Sequence, residues 1–326
     1  MTTRDQILKL LRSQPEGYVS GQEISRRLDI SRAAVWKQIQ VLRDQGFEFA
    51  VKHAAGYRLV ASPDLLLAAD IENGLNSRVI GSKVVALREI TSTNSLIRTL
   101  AEQGAPEGTL VVADRQSAGR GRLGRLWASP AGVNLYCSLL LKPDIPVQLA
   151  PQMTFLSAVS VAETLQQVCR LPAVLKWPND VLVNGAKIAG LLNEMNAETE
   201  QVHEVVLGIG INLNMTADQL PPQLNYPATS VLLETGRKTD RLLFLRALLE
   251  NFDRAYTEFQ QQGFAPIRGR WEGLSTLMNQ PVVVEQVGRT VQGTVVGLDR
   301  DGALRLQTSA GKLERILAGD VRPDDT

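Results

Sequence analysis

The chain has 326 residues, of which 44% are hydrophobic and 21% are charged, and its formal net charge is +1 at pH 7. These values indicate a soluble globular protein with room for roughly two or three domains, and they exclude binding of polyanions through total charge. The two cysteines, Cys137 and Cys169, argue against a disulfide framework and favour a reducing cytoplasm. Neither His53 nor His203 lies in a metal-ligand spacing, so we expect no metal site held by the protein. We expect no membrane segment, because we find no signal peptide and no apolar run of spanning length.

Residues 1–60 carry more positive charge than the rest of the chain. They hold ten Lys or Arg and six Asp or Glu, a net charge of +4, which leaves −3 for the remainder. A basic N-terminal segment on a slightly acidic protein indicates a separate role in binding nucleic acid.

The same sixty residues predict three helices and a short turn. An amphipathic helix is expected over residues 4–13, Ser20 begins the capping pattern Ser-x-x-Glu of a second helix, and Ser31 caps a third. Only Asp29-Ile30-Ser31 separates the second helix from the third, which is typical of a helix-turn-helix. The core-facing positions of the third helix are Val35, Ile39 and Leu42, at i, i+4 and i+7.

The outer face of the predicted third helix carries the candidate DNA contacts. These are Arg32, Ala33, Trp36, Lys37 and Gln40. A polar face with a small residue near its beginning is suited to the major groove of DNA. Residues 47–60 alternate in polarity and return at Gly56, which predicts a two-stranded wing containing Lys52-His53-Ala54-Ala55-Gly56. The alternative is a small helical domain that binds another protein and leaves this face solvated.

Residues 91–94, Thr-Ser-Thr-Asn, are a run of small hydrogen-bonding side chains after a strand expected over residues 79–90. Locally this run is typical of an N-cap, and it predicts a helix over residues 95–103.

A loop rich in glycine and arginine, residues 116–127, follows an apolar strand at residues 109–113. Its glycines and arginines are Gly119, Arg120, Gly121, Arg122, Gly124 and Arg125. Glycine lets the backbone approach a ligand closely, and guanidinium groups match carboxylate and phosphate oxygens. The pattern does not open a βαβ dinucleotide fingerprint, and it predicts either an anion-binding loop or a basic surface loop.

A hairpin is predicted around Asn184-Gly185, because Asn-Gly between β-branched runs favours a type I′ turn. The expected register pairs Val183 with Ala186, Leu182 with Lys187, and Asp180 with Ala189. Asp180 and Lys187 would then be diagonal neighbours on one sheet face, roughly 7–8 Å apart. Such a pair could be a surface ion pair, or a charge stabiliser beside a proton acceptor.

The rest of the chain predicts further scaffold. Residues 205–214 form a strand interrupted by Gly208 and Gly210, where backbone and ligand could approach closely. Thr239 is expected to cap a long helix that ends near residue 262, and residues 281–321 alternate as a small all-β unit.

With these residues in place, the chain resembles, over nearly its full length, the biotin–protein ligases of the bifunctional class that also repress biotin synthesis genes. The motifs that carry the resemblance are Ser92-Thr93-Asn94, Gln116 with the loop 119–127, Lys176-Trp177-Pro178-Asn179-Asp180, Lys187-Ile188-Ala189-Gly190-Leu191-Leu192 and Gly208-Ile209-Gly210-Ile211-Asn212. They stand in the family's order at compatible spacing. The family often has Arg where this chain has Leu123, a position that the motif leaves free.

The resemblance implies an α+β fold in three domains. Residues 1–62 would form a winged helix-turn-helix DNA-binding domain. Residues 63–273 would form a mixed-sheet catalytic domain like that of class II synthetases, and residues 274–326 an SH3-like β-barrel.

The resemblance also implies a reaction in two steps. Biotin and ATP, assisted by Mg²⁺, would give biotinoyl-5′-AMP and pyrophosphate, and the acyl group would pass to a lysine of the biotin carboxyl carrier protein. The adenylate would order the glycine–arginine loop and favour a homodimer, which binds a two-fold operator in DNA and represses biotin synthesis.

The site residues are likewise implied by the resemblance. Biotin would be bound by Ser92, Thr93, Asn94, Gln116, Arg120, Gly121, Arg122 and Lys187. ATP would be bound by Arg120, Arg122, Trp127, Lys176, Asn179, Lys187 and Asn212. Arg122 and Lys187 would stabilise phosphate charge, and Asp180 would accept a proton from the incoming lysine amine. Trp127 would cover adenine and Asn212 would read its edge.

Three alternatives stay open. The first is a ligase whose N-terminal domain does not regulate transcription. The second is a ligand-sensing repressor without enzymatic activity. The third is a lipoate ligase, which shares the catalytic architecture but fits the two motifs Gly-Arg-Gly-Arg-x-Gly and Lys-Trp-Pro-Asn-Asp less well.

Overall fold

The described part of the chain covers residues 3–44, 46–53, 55–198, 201–221, 226–286 and 288–324 of a computed structural model. Contacts divide it into two units, Met1–Asn73 and Gly74–Thr326. The three-domain division at residues 62 and 273 stays a prediction about independently folding parts.

The first unit contains the helices and the wing expected from the sequence. Its helices are α1 (Thr3–Arg12), α2 (Gly21–Leu28), α3 (Arg32–Asp44) and α4 (Ala68–Glu72), and its antiparallel strands are β1 (Glu48–Lys52) and β2 (Gly56–Ala61). Ser20 Oγ accepts a hydrogen bond from the N–H of Glu23 at 3.0 Å, and Ser31 Oγ accepts one from Ala34 at 3.1 Å. Both predicted N-caps are therefore confirmed.

The second unit is built on a mixed sheet. Its strands are β3 (Lys83–Ile90), β4 (Thr109–Gln116), β5 (Leu135–Leu141), β6 (Val174–Lys176), β7 (Asp180–Val183), β8 (Ala186–Glu198) and β9 (Gln201–Ile211). They lie in the order β3-β4-β5-β9-β8-β7-β6, with β3 parallel to β4 and the other neighbouring pairs antiparallel. Strand β5 is buried along its whole length, which puts the centre of the sheet in the core.

The second unit also contains helices, some of which pack on this sheet. They are α5 (Thr93–Glu102), α6 (Gln152–Cys169), α7 (Val231–Thr235), α8 (Arg241–Gln262) and α9 (Ala265–Leu274). Helix α5 packs on β4, β5 and β9, while α6 packs against α8, α9 and the sheet. The Phe155 ring of α6 meets the Trp271 ring of α9 edge to face at 5.5 Å, which fixes these two helices against each other.

Two predicted caps in this unit are corrected. Asp240, rather than Thr239, caps α8, because its Oδ1 accepts the N–H of Leu243 at 3.0 Å. The Thr239 N–H instead donates to Asn214 Oδ1 at 2.7 Å. Ser92 stands at the N-cap position of α5 but makes no side-chain cap bond.

The C-terminal strands form the small all-β unit predicted from the sequence. They are β10 (Pro281–Gln286), β11 (Arg289–Leu298), β12 (Leu304–Gln307), β13 (Leu313–Ile316) and β14 (Asp320–Pro323), paired antiparallel in the order β13-β12-β11-β10-β14. Within the ranges described above, no helix is both long and apolar enough to cross a membrane.

Candidate functional site

Three glycines, Gly190, Gly208 and Gly210, leave part of one face of the sheet without side chains of its own. We call this surface the glycine floor. A Cβ at Gly210 would lie 2.5 Å from Trp127 Nε1, and one at Gly190 would lie 2.9 Å from Trp127 Cζ3. A Cβ at Gly208 would lie 2.4 Å from Asn94 Oδ1. Glycine is therefore required because the Trp127 ring and the Asn94 amide rest directly on the strands. The close approach predicted at Gly208 and Gly210 exists, and protein side chains make it.

A cluster of polar side chains lies at the beginning of α5. Ser92, Thr93 and Asn94 are all buried. Gln116 Oε1 accepts the Thr93 N–H at 2.9 Å and lies 3.1 Å from Thr93 Oγ1, and Gln116 Nε2 donates to Ser129 Oγ at 3.1 Å. Three predicted biotin-binding residues, Thr93, Asn94 and the half-buried Gln116, thus lie in one polar cluster, with the fourth, Ser92, next to Thr93 in the chain. Such a cluster suits a neutral ligand with several donors and acceptors.

The glycine–arginine loop folds back over its own backbone. The Gly121 N–H donates to Arg125 O at 2.7 Å, and the Trp127 N–H donates to Gly119 O at 2.9 Å. Residues Arg122–Gly124 form a 3₁₀ turn with Leu123 in the left-handed region at φ 56°. Gly119 allows the tight approach, because a Cβ there would lie 2.4 Å from Trp127 O.

The three arginines of this loop have different surroundings. Arg122 is partly buried, and its Nη1 donates to Asn179 Oδ1 at 3.3 Å. Burial lowers the pKa of Arg122, while the carboxylates of Asp320 and Asp180 act in the opposite direction. Arg120 is exposed, and Arg125 Nη2 pairs with Asp320 Oδ2 of β14 at 2.6 Å. A partly desolvated guanidinium at Arg122 is the best placed of the three to bind an anion.

Lys187 and Asp180 are in direct contact. Lys187 Nζ lies 2.6 Å from Asp180 Oδ1, and it lies 5.5 Å from the centroid of the Trp127 ring. The predicted pairs of Val183 with Ala186 and of Leu182 with Lys187 are confirmed, whereas the predicted pair of Asp180 with Ala189 is wrong.

A β-bulge causes this shift of register. Asp180 pairs with Gly190 because β8 contains one extra residue, Ile188, opposite the step from Val181 to Leu182. The Ile188 carbonyl is used instead by the N–H of Asn212 at 2.9 Å. A bulge changes where side chains point, and the ion pair of Lys187 with Asp180 lies beside this one.

The remaining predicted ATP-binding residues surround the same hairpin. Lys176 Nζ lies 3.7 Å from the centroid of the Tyr226 ring, and Asn179 Nδ2 donates to Leu191 O at 2.6 Å. Asn212 is buried and uses both ends of its side chain within the protein. Its Oδ1 accepts from Asn134 Nδ2 at 3.1 Å and its Nδ2 donates to Thr229 O at 3.0 Å. Asn212 therefore joins β9 to the segment after residue 225.

Two residues of the polar cluster were not identified from the sequence. Ser138 Oγ lies 2.5 Å from Asn94 Oδ1 and 2.7 Å from Thr93 Oγ1, and Glu194 Oε2 accepts from Asn94 Nδ2 at 2.7 Å. Ser138 is the polar residue within the otherwise apolar strand β5, which is a signal that sequence reasoning could have used. Glu194 gives no comparable signal, because its role depends on the pairing of distant strands.

In the first unit, α3 presents the face predicted for DNA. Val35, Ile39 and Leu42 are buried as expected. Arg32, Ala33, Trp36 and Lys37 are exposed, and Gln40 is half-buried. Trp36 has 58% of its surface exposed, so its ring is not part of the hydrophobic core of this unit. The wing returns at Gly56, where a Cβ would lie 2.1 Å from Val19 O, and Ala54 of the predicted wing lies outside the described residues.

Family models match three segments of the chain. The HTH domain matches residues 3–58, the Biotin/lipoate A/B protein ligase family matches residues 86–212, and the Biotin protein ligase C terminal domain matches residues 277–322. These segments contain the helix-turn-helix, the glycine floor with its loop, and the C-terminal strands described above.

Individual proteins of known name or structure are also similar to this chain. The chain is 38% identical to the bifunctional ligase/repressor BirA of Bacillus subtilis, over 98% of each chain, and 32% identical to that of Escherichia coli, over 96% of each. A solved biotin protein ligase from Aquifex aeolicus, in complex with biotin and ATP, superimposes with a TM-score of 0.65 at 31% identity. The match covers 74% of this chain and 100% of that one. From these findings, the chain belongs to the biotin–protein ligase family, in its bifunctional class of ligase and repressor.

Proposed function

We propose that this protein joins biotin to a carrier-protein lysine through biotinoyl-5′-AMP, at the site between the glycine–arginine loop and the glycine floor. One observation carries the proposal. Lys187 lies over the glycine floor on which Trp127 and Asn94 rest, and Arg122 bonds Asn179, the residue before the Lys187 partner Asp180. A neutral polar pocket, a pair of cations and an aromatic ring are the groups needed for biotin, phosphate and adenine.

The polar cluster would bind the ureido ring of biotin. This ring is neutral and offers two N–H donors and one carbonyl acceptor, and Ser92, Thr93, Asn94 and Gln116 offer matching groups in a buried setting. Gly121 would let the loop backbone close over the ligand, and Arg120 is free to turn inward from its exposed position.

In the first step, an oxygen of the biotin carboxylate attacks the α-phosphorus of ATP, and the bond to the bridging oxygen breaks to release pyrophosphate. Lys187 would bridge the carboxylate and α-phosphate oxygens as a point charge, and Arg122 would neutralise charge on the phosphate. Asp180 holds the Lys187 ammonium in place through its ion pair at 2.6 Å.

In the second step, the neutral amine of a carrier lysine attacks the acyl carbonyl, and AMP leaves with the electrons of the broken bond. The amine must lose a proton, and we assign its acceptance to Asp180, the carboxylate next to Lys187. Asp180 would therefore have two roles. It would hold Lys187 during adenylation, and it would accept the amine proton during acyl transfer.

The nucleotide would be held by Trp127 over adenine, with Lys176, Asn179 and Asn212 supporting its pocket. Asn212 does this by fixing Thr229 to the sheet, since both ends of its amide are bonded within the protein. Mg²⁺ would enter as part of the nucleotide substrate. Such ions use few protein carboxylates and mostly phosphate oxygens, and the described residues contain no cluster of three His, Cys, Asp or Glu ligands.

The N-terminal unit would make the protein a repressor. The exposed face of α3 would enter the major groove of a biotin operator, and a homodimer formed with biotinoyl-5′-AMP would match a two-fold site in the cytoplasm. For the adenylate to act as a switch, it must bind the dimer more tightly than the monomer.

Two experiments test the function. Incorporation of labelled pyrophosphate into ATP should depend on biotin and should not respond to lipoate at equal concentration. A ligand-sensing repressor without enzymatic activity would give no exchange, and a lipoate ligase would reverse the preference. Footprinting on the promoter of the biotin synthesis genes should show protection that strengthens with biotin and ATP, whereas a ligase without regulation would show none.

A further inference from the structure

Glu194 of β8 is bound by two residues of α5 that lie one turn apart. Its Oε2 accepts from Asn94 Nδ2 at 2.7 Å, and its Oε1 accepts from Arg98 Nη2 at 2.8 Å. The side chain of Glu194 is 27% exposed, so this carboxylate lies at the border of the buried polar cluster. Each of its two oxygens therefore has its own donor.

The opposite end of the Asn94 amide is also bound. Ser138 Oγ donates to Asn94 Oδ1 at 2.5 Å, and the amide rests on Gly208. Asn94 is only 4% exposed. The amide is therefore held on both sides, and its orientation depends on which neighbour accepts and which donates.

Glu194 decides this orientation. A hydroxyl such as that of Ser138 can donate or accept, so it would tolerate either end of the amide. A carboxylate only accepts, so it requires the NH₂ group of Asn94. The oxygen of Asn94 must then face Ser138, and Ser138 must donate to it.

The orientation of the Asn94 amide affects the proposed ligand pocket, because Ser138 connects Asn94 to Thr93. Ser138 Oγ lies 2.7 Å from Thr93 Oγ1, and Thr93 contacts Gln116. A change at Asn94 would alter the proton position on Ser138, and with it the donors and acceptors that Thr93 has available.

We propose that Glu194 is a positioning residue for biotin recognition, whose carboxylate fixes the Asn94 amide and through Ser138 sets the hydrogen-bonding pattern of Thr93. This inference rests on the proposed function, because it takes the polar cluster to be the site of the ureido ring. Arg98 supports it by occupying the other carboxylate oxygen.

The substitution Glu194→Gln tests the proposal. Arg98 can only donate, so it would bond the oxygen of the new amide, and the NH₂ group of Gln would then face Asn94. The Asn94 amide must invert. We expect the KM for biotin in pyrophosphate exchange to rise about tenfold, with kcat and the KM for ATP within about twofold of the wild type.

The double variant Asn94→Asp with Glu194→Gln provides a rescue. An aspartate accepts at both oxygens, so it can pair with the Gln NH₂ group and still receive the Ser138 hydroxyl proton. Because Asn94 itself belongs to the proposed pocket, we compare this variant with the single one, and we expect its KM for biotin to fall at least about threefold below that of Glu194→Gln. A purely structural role for Glu194 predicts that the double variant binds biotin no better than the single one, and that result would overturn the proposal.

Glu163→Gln is the matched control. Glu163 pairs with Arg270, and its side chain is 25% exposed, close to the value for Glu194. It should leave the KM for biotin unchanged, and a rise equal to that of Glu194→Gln would contradict the proposal. If Glu194→Gln does not fold, Ser138→Ala takes its place, with the same expected rise for biotin alone. A wild-type protein without biotin-dependent exchange would refute the proposed function, whereas an active wild type with an unchanged Glu194→Gln variant would refute only this inference.

Discussion

The carboxylate of Asp180 and the ammonium of Lys187 lie 2.6 Å apart, across a hairpin that contains a bulge at Ile188. Diagonal neighbours in a regular register have backbones roughly 7–8 Å apart, a gap that a long lysine side chain spans. The backbone of Lys187 is also held from its other side, since its N–H donates to Pro227 O at 2.7 Å and its carbonyl accepts from Thr229 at 2.9 Å. The protein thus holds the backbone of Lys187 through Pro227 and Thr229 and its ammonium through Asp180.

Lys187→Ala should abolish adenylate formation while the fold persists. The change removes a charge that stabilises the transition state, and losses of about 100-fold or more are typical for such groups. Biotin-dependent pyrophosphate exchange measures the step directly. Lys83→Ala, at an exposed lysine on β3, is the control and should keep wild-type exchange. If Lys187→Ala keeps pyrophosphate exchange, Lys187 does not stabilise the transition state of adenylate formation.

Asp180→Asn should slow acyl transfer to the carrier more than it slows adenylation. The amide keeps an oxygen near Lys187 but cannot accept the proton of the incoming amine. Single-turnover rates, measured with preformed adenylate for the second step, separate the half-reactions. An equal loss in both would show that Asp180 acts only by placing Lys187.

Gly208→Ala and Gly210→Ala should weaken different substrates. A methyl group at 208 meets the Asn94 amide, and one at 210 meets the Trp127 ring. Overpacking of this kind costs about 1–3 kcal/mol, and the loss of that much binding energy would weaken affinity by roughly 5- to 150-fold. We expect the KM for biotin to rise with the first variant and the KM for ATP with the second. Calorimetric titration of each ligand checks this, and the same profile for both variants would contradict the separate roles of the two surfaces.

Arg122→Ala should weaken retention of the adenylate more than binding of free biotin. Its partner in the proposal is phosphate, which free biotin lacks. Dissociation rates of labelled biotinoyl-5′-AMP and of biotin provide the comparison. Arg120→Ala, at the exposed neighbouring arginine, shows how much of any change comes from overall charge. Equal weakening of both ligands by Arg122→Ala would argue against a phosphate contact.

The two cysteines should be unreactive in the folded protein near neutral pH. Burial raises the pKa of Cys137 to about 12 and that of Cys169 to about 11. Because both folded pKa values exceed the unfolded value of roughly 8.5, the neutral thiols favour the folded state below that pH, and this contribution is lost as pH rises through 11 to 12. Ellman's reagent at pH ~8 should label both thiols in denaturant and label Cys137 very slowly in its absence. Rapid native labelling of Cys137 would contradict its burial.

Local signals predicted much of the fold. Ser20 and Ser31 cap helices as expected, because an N-cap involves residues only three positions apart. Asn184 and Gly185 turn the hairpin with φ values of 48° and 79°, since few other residues tolerate these angles. Thr239 and Asp240 are adjacent candidates for one cap, and only tertiary contacts decide between them.

Apart from Ser138, the parts of the site that sequence reasoning missed depend on distant pairing. The bulge at Ile188 coincides with a bond from its carbonyl to Asn212, the residue that follows β9. Glu194 reaches Asn94 across 100 positions of sequence, and Arg125 reaches Asp320 across 195. The local sequence around each of these residues does not indicate which distant residue it contacts.

The most direct measurement is a crystal structure with a non-hydrolysable analogue of biotinoyl-5′-AMP. We expect density between the glycine–arginine loop and the glycine floor, with Arg122 and Lys187 on the phosphate mimic and the ureido ring at Thr93 and Gln116. Density for the analogue at any other place, with this loop unchanged, would contradict the assignment of the active site.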